Sequence, residues 1–337
     1  MASSSSSSSP LLMLSLNQQT TFVTPDKNII FTNPATIIPK TTPVGSSHGW
    51  LILLSHQTSQ VSLLNPSDRS RIPLPDTSSF PLLSIRKAVL SANPSTNKDF
   101  VVFVLHGENP RIACCRNGDK QWRKIRGGPY YDVSCSTGSV FALGAKASVQ
   151  RWDSSSLRKR GILRPSYPTG LLQAREEFPR DLYATKWYLV PCKSGEMFFV
   201  VRYIGEFVTR DGRAVYEEAM HEGDKTIGTV CPYKTMGFRV FRRELRTETW
   251  EEVRSLDGRV LFLGGNHSVS LLGSEHPNCR PGCIYFTDDY WDRIDREDCP
   301  YGGHDMGVFS LRDGSFQQFV DFELQKFSPP PIWILPS

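Results

Sequence analysis

Long hydrophobic runs are missing from this sequence. A membrane-spanning helix needs about 20 apolar residues, whereas the longest runs, such as residues 101–105, are much shorter. Apolar residues rarely recur at helical spacing, and 24 prolines are spread along the 337 residues. Because proline removes a backbone donor and clashes with the preceding helical turn, long helices are not expected. No membrane partner is predicted.

A strong excess of charge is also missing. The chain has 39 basic and 34 acidic residues, which gives a net charge of +5, whereas nucleic-acid binding needs a concentrated basic face. The apolar fraction of 39% and the charged fraction of 22% are ordinary for a globular protein. These values predict a folded protein that does not bind nucleic acid.

A secretory signal is absent as well. The first ten residues contain a run of serines instead of a basic segment and an apolar core, so the eight cysteines are interpreted as reduced thiols. We predict that residues 1–10 form a disordered serine-rich leader and that the protein lies in the cytoplasm or nucleus. Transit peptides are also serine-rich and acid-poor, so the mitochondrion or chloroplast is the alternative, although no arginine precedes Arg69.

The sequence lacks the catalytic motifs that can be recognised by spacing. We find no Walker loop, dinucleotide glycine fingerprint, zinc-protease motif or G-x-S-x-G nucleophile elbow. The chain is therefore predicted to be non-catalytic and to need no cofactor. A weak zinc candidate is the spacing Cys279-x3-Cys283 with Cys299-x4-His304. We favour buried thiols there, because Cys283 directly begins an apolar strand.

The sequence does contain a repeated β unit that opens with glycine. Gly49 begins an apolar strand that is followed by a second strand at residue 61, and Gly138 begins another pair whose second strand starts at residue 149. Similar units open at Gly195 and Gly282, and Asn-Gly and Asp-Gly turn signals separate strands. Nearly equal spacing in distant places predicts a repeat fold.

Four-stranded units of roughly 40–50 residues are typical of β-propellers. We therefore predict an all-β fold in which residues 11–337 form a single β-propeller of four-stranded antiparallel blades. Dividing this length gives about six or seven blades. Six are favoured and seven are the alternative, because insertions at about residues 205–236 and 287–306 take up length.

The two insertions hold the candidate partner-binding residues, since loops on a rigid scaffold tend to carry function. Aromatic and arginine side chains are the types enriched at interface hot spots. The candidates are Tyr290, Trp291 and Arg293 in the later insertion and Phe207, Tyr216 and Tyr233 in the earlier one. The acids of the later insertion, among them Asp288, Asp289 and Asp305, are interpreted as a solvated loop because they lack the spacing of a calcium motif.

Several strings along the chain carry a family resemblance. They are residues 45–51, 64–66, 187–190, 237–241, 250–253, 261–264 and 284–289, and the tail 329–333. In this order they resemble the plant F-box-associated β-propeller family of the KIB type. The structural signature positions are His48, Gly49, Trp50, Asn65, Pro66, Trp122, Trp250 and Trp333. Trp122 and Trp250 are expected to pack between blades.

The resemblance implies a propeller that follows an F-box. In this family the F-box docks a Skp-type adaptor of a cullin ubiquitin ligase, and the propeller captures the substrate, which in some members is a kinase. Here the string at residues 11–16 already resembles the first propeller strand. We therefore do not expect a Skp-type adaptor as partner, and we predict a non-catalytic propeller that sequesters another protein.

Three alternatives remain open at this stage. An F-box missing from the gene model upstream of Met1 would make the protein a ubiquitin-ligase substrate adaptor. A cleaved leader would make it an organellar propeller protein. Acids or histidines that project into the central channel would allow a hydrolase.

Overall fold

The computed structural model describes residues 9–16, 19–26, 29–33, 41–55, 57–77, 85–163, 168, 170–217, 231–243, 249–290, 301–319 and 326–336. β-strands are the main secondary structure of these residues. The longest helix that they contain is α1 (Gly170–Glu177). Within the described residues, no helix has the length and hydrophobicity needed to cross a membrane.

The strands form six sheets in the described part of the chain. The first four sheets contain β1 (Leu11–Leu16), β2 (Gln19–Val23) and β3 (Ile29–Asn33); β4 (Thr41–Ser47), β5 (Trp50–Ser55), β6 (Gln60–Leu64) and β7 (Arg71–Asp76); β8 (Ile85–Leu90), β9 (Val101–His106), β10 (Arg111–Arg116) and β11 (Arg123–Ile125); and β12 (Tyr130–Ser136), β13 (Ser139–Gly144), β14 (Val149–Asp153) and β15 (Lys159–Leu163). Neighbouring strands within each sheet are antiparallel.

The remaining strands complete the fifth and sixth sheets and return to the first. They are β16 (Tyr183–Pro191), β17 (Met197–Val208), β18 (Cys231–Arg243) and β19 (Trp250–Val253); β20 (Arg259–Leu263), β21 (Val269–Leu272), β22 (Cys283–Phe286), β23 (Gly307–Ser310) and β24 (Phe316–Gln318); and β25 (Ile332–Ile334), which pairs with β1. The sixth sheet departs from the four-stranded pattern. It has five strands in the order β21-β20-β22-β23-β24, and β20 runs parallel to β22.

Each sheet is apolar on both faces, because alternate residues of a strand pack against different neighbouring sheets. On β5, Leu51 and Leu53 face the first sheet, and Ile52 faces the third. Six such clusters of buried apolar residues join each sheet to the next and the sixth to the first. The fold is therefore an all-β propeller, as predicted, and its six sheets are consistent with the six blades that the sequence favours.

The inner edges of the sheets are β25, β4, β8, β12, β16 and β21, which contact one another in this order around the axis. The chain thus places its last described strand at the inner edge of the first sheet. Trp333 on this strand is completely buried and lies between the first and sixth sheets, with its ring centroid 5.0 Å from that of Phe262 and 5.8 Å from that of Tyr285.

Three other tryptophans connect neighbouring sheets through their indole nitrogens. Trp50 donates from Nε1 to Ser95 Oγ at 3.2 Å. Trp122 donates to the carbonyl oxygen of Pro75 at 3.0 Å, and Trp250 donates to that of Ala147 at 3.2 Å. Pro75 lies on a strand of the adjacent sheet, and Ser95 and Ala147 each lie in a connection between two strands of an adjacent sheet, so these tryptophans fix the sheets relative to one another.

The other signature residues shape hairpin turns. His48 and Gly49 both have positive φ, at 53° and 78°, and join β4 to β5; two such residues are what a tight hairpin turn requires. Asn65 precedes Pro66 and accepts a hydrogen bond from the backbone N–H of Ser67 on its side-chain oxygen, at 3.0 Å. This contact closes the turn after β6.

The predicted insertion at residues 205–236 begins and ends inside strands. β17 pairs with β18 up to Val208 and Cys231, with a register shift near Tyr203. Residues 218–230, residues 291–300 of the later insertion, and residues 1–8 of the predicted leader lie outside the described residues.

Candidate functional site

The inner strands β8, β12 and β16 begin at the same mouth of the ring, where their first residues line a cavity of about 340 Å³. We call this the mouth cavity; its lining comprises residues 86–87, 105, 108, 110, 130–131, 184–188 and 289–290. Aromatic rings from β12, from β16 and from the segment just after β22 supply much of the lining. The cavity size is within the range of ligand-binding clefts.

A second cavity, of about 520 Å³, adjoins the first on the outer side. We call it the helix groove, because α1 and the residues after it form one wall; its lining comprises residues 131, 146, 171, 174, 178, 180, 183–185, 187, 201 and 203. Tyr131, Ala184, Thr185 and Trp187 line both cavities. The two cavities therefore form one continuous depression.

Tyr131 and Trp187 form the boundary between the two cavities. Tyr131 is 52% exposed, and its ring centroid lies 4.8 Å from that of Trp187. Trp187 in turn packs edge-on against the buried ring of Phe199, at 5.3 Å. An exposed aromatic pair supported by a buried ring offers a rigid apolar surface of the kind found at interface hot spots.

A completely buried arginine holds the loop beside the mouth cavity. Arg202 on β17 donates to the carbonyl oxygen of Thr287 at 2.8 Å, to Asp289 Oδ1 at 3.2 Å and to Asp305 Oδ2 at 2.8 Å. Its Nε donates to Thr235 Oγ1 at 2.7 Å. A buried cation is stable only when it is paired and hydrogen-bonded, so this network fixes residues 287–289 against the fifth sheet.

The interpretation of the acids as a solvated loop is wrong for Asp288, Asp289 and Asp305, which are at most 7% exposed. Asp289 and Asp305 are the carboxylate partners of Arg202. Asp288 accepts a hydrogen bond from the hydroxyl of Tyr233 at 2.7 Å, and its burial raises its pKa. The buried arginine requires these carboxylates inside the protein.

The predicted partner-binding residues fall into different environments. Tyr290 lines the mouth cavity and is 9% exposed, with its ring edge-on to Tyr233 at 5.4 Å and its hydroxyl donating to Glu206. Tyr233 is completely buried, so it supports Tyr290 from inside the protein. Trp291 and Arg293 lie outside the described residues.

Phe207 and Tyr216 do not line either cavity. Phe207 is half-buried, with a φ of 51°, next to the hairpin that follows β17. Tyr216 is 49% exposed, and its hydroxyl donates to the carboxylate of Asp181. The structure thus brings Tyr290 together with Tyr131 and Trp187 and leaves Phe207 and Tyr216 apart.

The candidate zinc ligands are also separated. Cys279 and Cys283 are packed in the apolar cluster between the sixth and first sheets, and burial raises the pKa of Cys279 to about 12. Nε2 of His304 donates to the carbonyl oxygen of Tyr233 at 3.0 Å, and Cys299 lies outside the described residues. In the described part of the chain, no three His, Cys, Asp or Glu side chains are grouped to hold a metal ion.

The channel along the axis contains a second buried ion pair. Lys87 on β8 lies 2.7 Å from Asp132 Oδ1 on β12 and donates to Ser268 Oγ at 2.7 Å. Burial raises the pKa of Asp132, while the ammonium of Lys87 and the backbone N–H groups of Val133 and Leu189 oppose that shift. Each charged atom of the pair is engaged by groups of the protein itself.

The segment after β20 supplies a buried histidine to the same channel. Nε2 of His267 accepts the backbone N–H of Cys135 at 3.0 Å and lies 2.8 Å from Ser134 Oγ. Its Nδ1 lies 3.3 Å from Ser47 Oγ, and its backbone N–H donates to Ser46 O. Because Nε2 is an acceptor, the ring proton is on Nδ1. The neutral imidazole therefore ties β20 to the inner strands β4 and β12.

Lowering the pH should destabilise the fold through this histidine. Burial lowers the pKa of His267 in the folded protein well below its ordinary value of 6.5. At a pH between the folded and the unfolded pKa, only the unfolded chain takes up the proton. Stability is therefore complete above pH 6.5 and falls as the pH drops below it, by up to about 1.4 kcal/mol per pH unit for one proton. Urea unfolding at pH 7.5 and 5.5 measures this effect.

His267→Gln should flatten this pH dependence, because glutamine does not titrate. His276→Gln is the matched control. The His276 ring is partly exposed, and its burial lowers its pKa less than burial lowers the pKa of His267. An identical pH slope in wild type and His267→Gln would show that His267 is not the responsible group.

Some of these residues carried a signal that sequence reasoning missed. Arg202 interrupts the apolar run from residue 198 to 204, whereas Lys87 follows Arg86 and is less conspicuous. A lone charge in such a strand indicates a buried ion pair. The sequence around Tyr131 and Trp187 gives no comparable signal, because these residues come together only when β12 and β16 become neighbours in the folded ring.

Comparison with known proteins gives one family over most of the chain. The KIB1-4 β-propeller family matches residues 14–310. F-box protein SKIP23 of Arabidopsis thaliana is 28% identical over 241 residues, which cover 70% of this chain and 53% of the relative. F-box protein At2g26160 of the same species is 23% identical over 289 residues, covering 76% of this chain and 78% of the relative.

The chain spans about half the length of SKIP23. Among solved structures, TolB from Acinetobacter baumannii aligns with a TM-score of 0.44 and 14% identity, over 98% of this chain and 67% of TolB. The propeller of this chain is similar to part of plant F-box proteins, in agreement with the resemblance seen in the sequence. The match over residues 14–310 shows that the chain belongs to the KIB1-4 β-propeller family.

Proposed function

We propose that this propeller binds another protein through the mouth cavity and the helix groove. The observation that carries the proposal is the exposed Tyr131 packed against Trp187, with the ring centroids 4.8 Å apart, between two cavities. Aromatic anchors that need no rearrangement lose little entropy on binding, and such residues dominate interface energetics. No chemical step is required.

A more specific proposal concerns what happens to the bound partner. We propose that the protein holds its partner without passing it to a ubiquitin ligase, and that a kinase is one class of partner in keeping with the resemblance. Affinity purification from plant extract under mild salt tests this. Partner recovery without Skp-type adaptor and cullin would support sequestration, and stoichiometric recovery of both would establish the adaptor function instead.

Its cellular location is also a proposal. We propose the cytoplasm or nucleus, with the serine-rich start retained. N-terminal sequencing of the native protein distinguishes this from organelle import, because a start beyond about residue 20 would indicate a cleaved leader.

Tyr131→Ala should weaken partner binding by about tenfold or more, because hot-spot aromatics contribute about 2 kcal/mol or more when truncated. The measurement is the dissociation constant for the purified partner recovered by affinity capture. Tyr216→Ala is the matched control, because Tyr216 is 49% exposed compared with 52% for Tyr131 and lines neither cavity.

The control is expected to bind as wild type. Loss of binding in Tyr216→Ala with full binding in Tyr131→Ala would move the interface to the insertion after β17. Both tyrosines are exposed, so neither variant should change the melting temperature appreciably.

A further inference from the structure

The helix groove has an aromatic interior. Phe178, just after α1, stacks on the buried ring of Tyr203, with centroids 4.1 Å apart and planes 13° from parallel. Trp187 and Tyr131 also line the groove. A volume of about 520 Å³ bounded by these rings is large enough for an aromatic side chain and its flanking backbone.

The charged side chains that line the groove have one sign. Its twelve lining residues include two cations, Lys146 and Arg180, and no acid. Both cations are exposed, and neither forms an ion pair with any residue that the structure describes. Of the acids close in sequence, Asp181 accepts a hydrogen bond from the hydroxyl of Tyr216, and Glu177 pairs with Arg239. The lining of the groove itself carries only positive charge, which attracts negatively charged groups.

The turn that carries Lys146 is held in an unusual conformation. Lys146 and Ala147 both have positive φ, at 55° and 54°, a region that residues with a Cβ rarely occupy. The turn is fixed by the bond from Ser148 N–H to Ala145 O and by the indole N–H of Trp250, which donates to Ala147 O. Such backbone conformations persist where the surroundings impose them, and they are concentrated at binding sites.

We propose that the helix groove binds an acidic peptide segment, which inserts one aromatic side chain between Phe178, Trp187 and Tyr131 and places its carboxylates against Lys146 and Arg180. The inserted ring gains stacking contacts with the walls. The carboxylates gain charge complementarity that favours this segment over neutral or basic ones. This inference rests on the proposed protein-binding function and specifies the chemistry of the partner segment.

The test uses the full chain and a short fluorescein-labelled peptide with a central phenylalanine flanked by glutamates. Fluorescence anisotropy should show saturable binding that weakens at high salt, because the contacting charges are exposed. A peptide with glutamines in place of glutamates, and one with alanine in place of phenylalanine, should each bind about tenfold more weakly.

The matched variants alter the same residue types at two places. Lys146→Gln with Arg180→Gln should weaken peptide binding by about tenfold. The control, Lys120→Gln with Arg158→Gln, also removes one lysine and one arginine from exposed positions. These residues lie between β10 and β11 and between β14 and β15, on the side of the ring opposite the mouth cavity, so the control should change binding less than about twofold. Thermal unfolding confirms that both double variants fold.

Equal binding by the two double variants would overturn the proposal, as would absence of peptide binding to the wild type. Self-association of the chain that Tyr131→Ala abolishes would also overturn it, since a second copy would then be the occupant. If Tyr131→Ala loses the captured partner while the acidic peptide does not bind, protein binding at the mouth stands and only the acidic chemistry of the segment is refuted.

Discussion

Replacing Arg202 with methionine is expected to lower the free energy of unfolding by about 3–5 kcal/mol. Methionine keeps much of the length of the side chain but removes the charge that Asp289 and Asp305 face in the interior. Two buried carboxylates then lack their cation, and such uncompensated charges are costly in a medium of low polarity. The backbone oxygens of Thr287 and Asp305 also lose their donor.

The measurement is urea unfolding of both proteins at pH 7.5, with the free energy taken by linear extrapolation and two spectroscopic probes compared to test for intermediates. Arg213→Met is the matched control, because Arg213 pairs with Asp211 but its side chain is 78% exposed. Exposed ion pairs contribute about 0–1 kcal/mol, so the control should remain close to wild type.

The same network predicts a partial rescue. Asp305→Asn in the Arg202→Met background removes one of the unpaired charges and keeps an oxygen that can accept from the backbone N–H of Thr235. The double variant should therefore be more stable than Arg202→Met alone. If Arg202→Met were as stable as Arg213→Met, the buried pair would not stabilise this region.

Trp333→Ala is expected to cost about 3–5 kcal/mol, because removal of a large buried aromatic side chain leaves a cavity. Trp333 is completely buried and packs against Phe262 and Tyr285 across the junction of the first and sixth sheets. The cavity would therefore open where the two ends of the chain meet. Urea unfolding and the melting temperature measure the loss.

Trp333→Phe should cost much less than Trp333→Ala. Nε1 of Trp333 has no hydrogen-bond partner among the described residues, so substitution by phenylalanine loses only part of the packing contacts. Trp250→Phe is the comparison: Trp250 is similarly buried but donates to Ala147 O, and it should lose about 1 kcal/mol more than Trp333→Phe because a hydrogen bond disappears too. A larger loss at Trp333 would indicate that its indole nitrogen has a stabilising partner.

The sequence was sufficient for the architecture because each blade carries its own local pattern. Glycine turns such as Gly49 and Gly138 mark hairpins, and the strands between them are short and apolar. The position of β25 was harder to predict, since the residues around Trp333 give no indication of which strand they pair with. The parallel pairing of β20 with β22 also depends on the path of the intervening segment.

The candidate site was only partly accessible from sequence. The sequence predicts Tyr290 as a binding residue because aromatic side chains of the hot-spot type lie on a long insertion there, and the structure places Tyr290 at the mouth cavity. Arg202 and Asp305 are 103 residues apart, so composition alone made the acids look solvated. Tyr131 and Trp187 meet because strands β12 and β16 are neighbours in the ring, which is a property of the closed fold and not of either local segment.

The pairing of β25 with β1 has a consequence for synthesis of the protein. A ribosome delivers β1 first and β25 last among the described strands, so the inner edge of the first sheet stays unpaired while all the other sheets emerge. Exposed edges of this kind can pair with other chains. We therefore expect this edge to need protection from other chains until β25 has been synthesised, and a truncation that removes β25 to leave the first sheet without its inner strand.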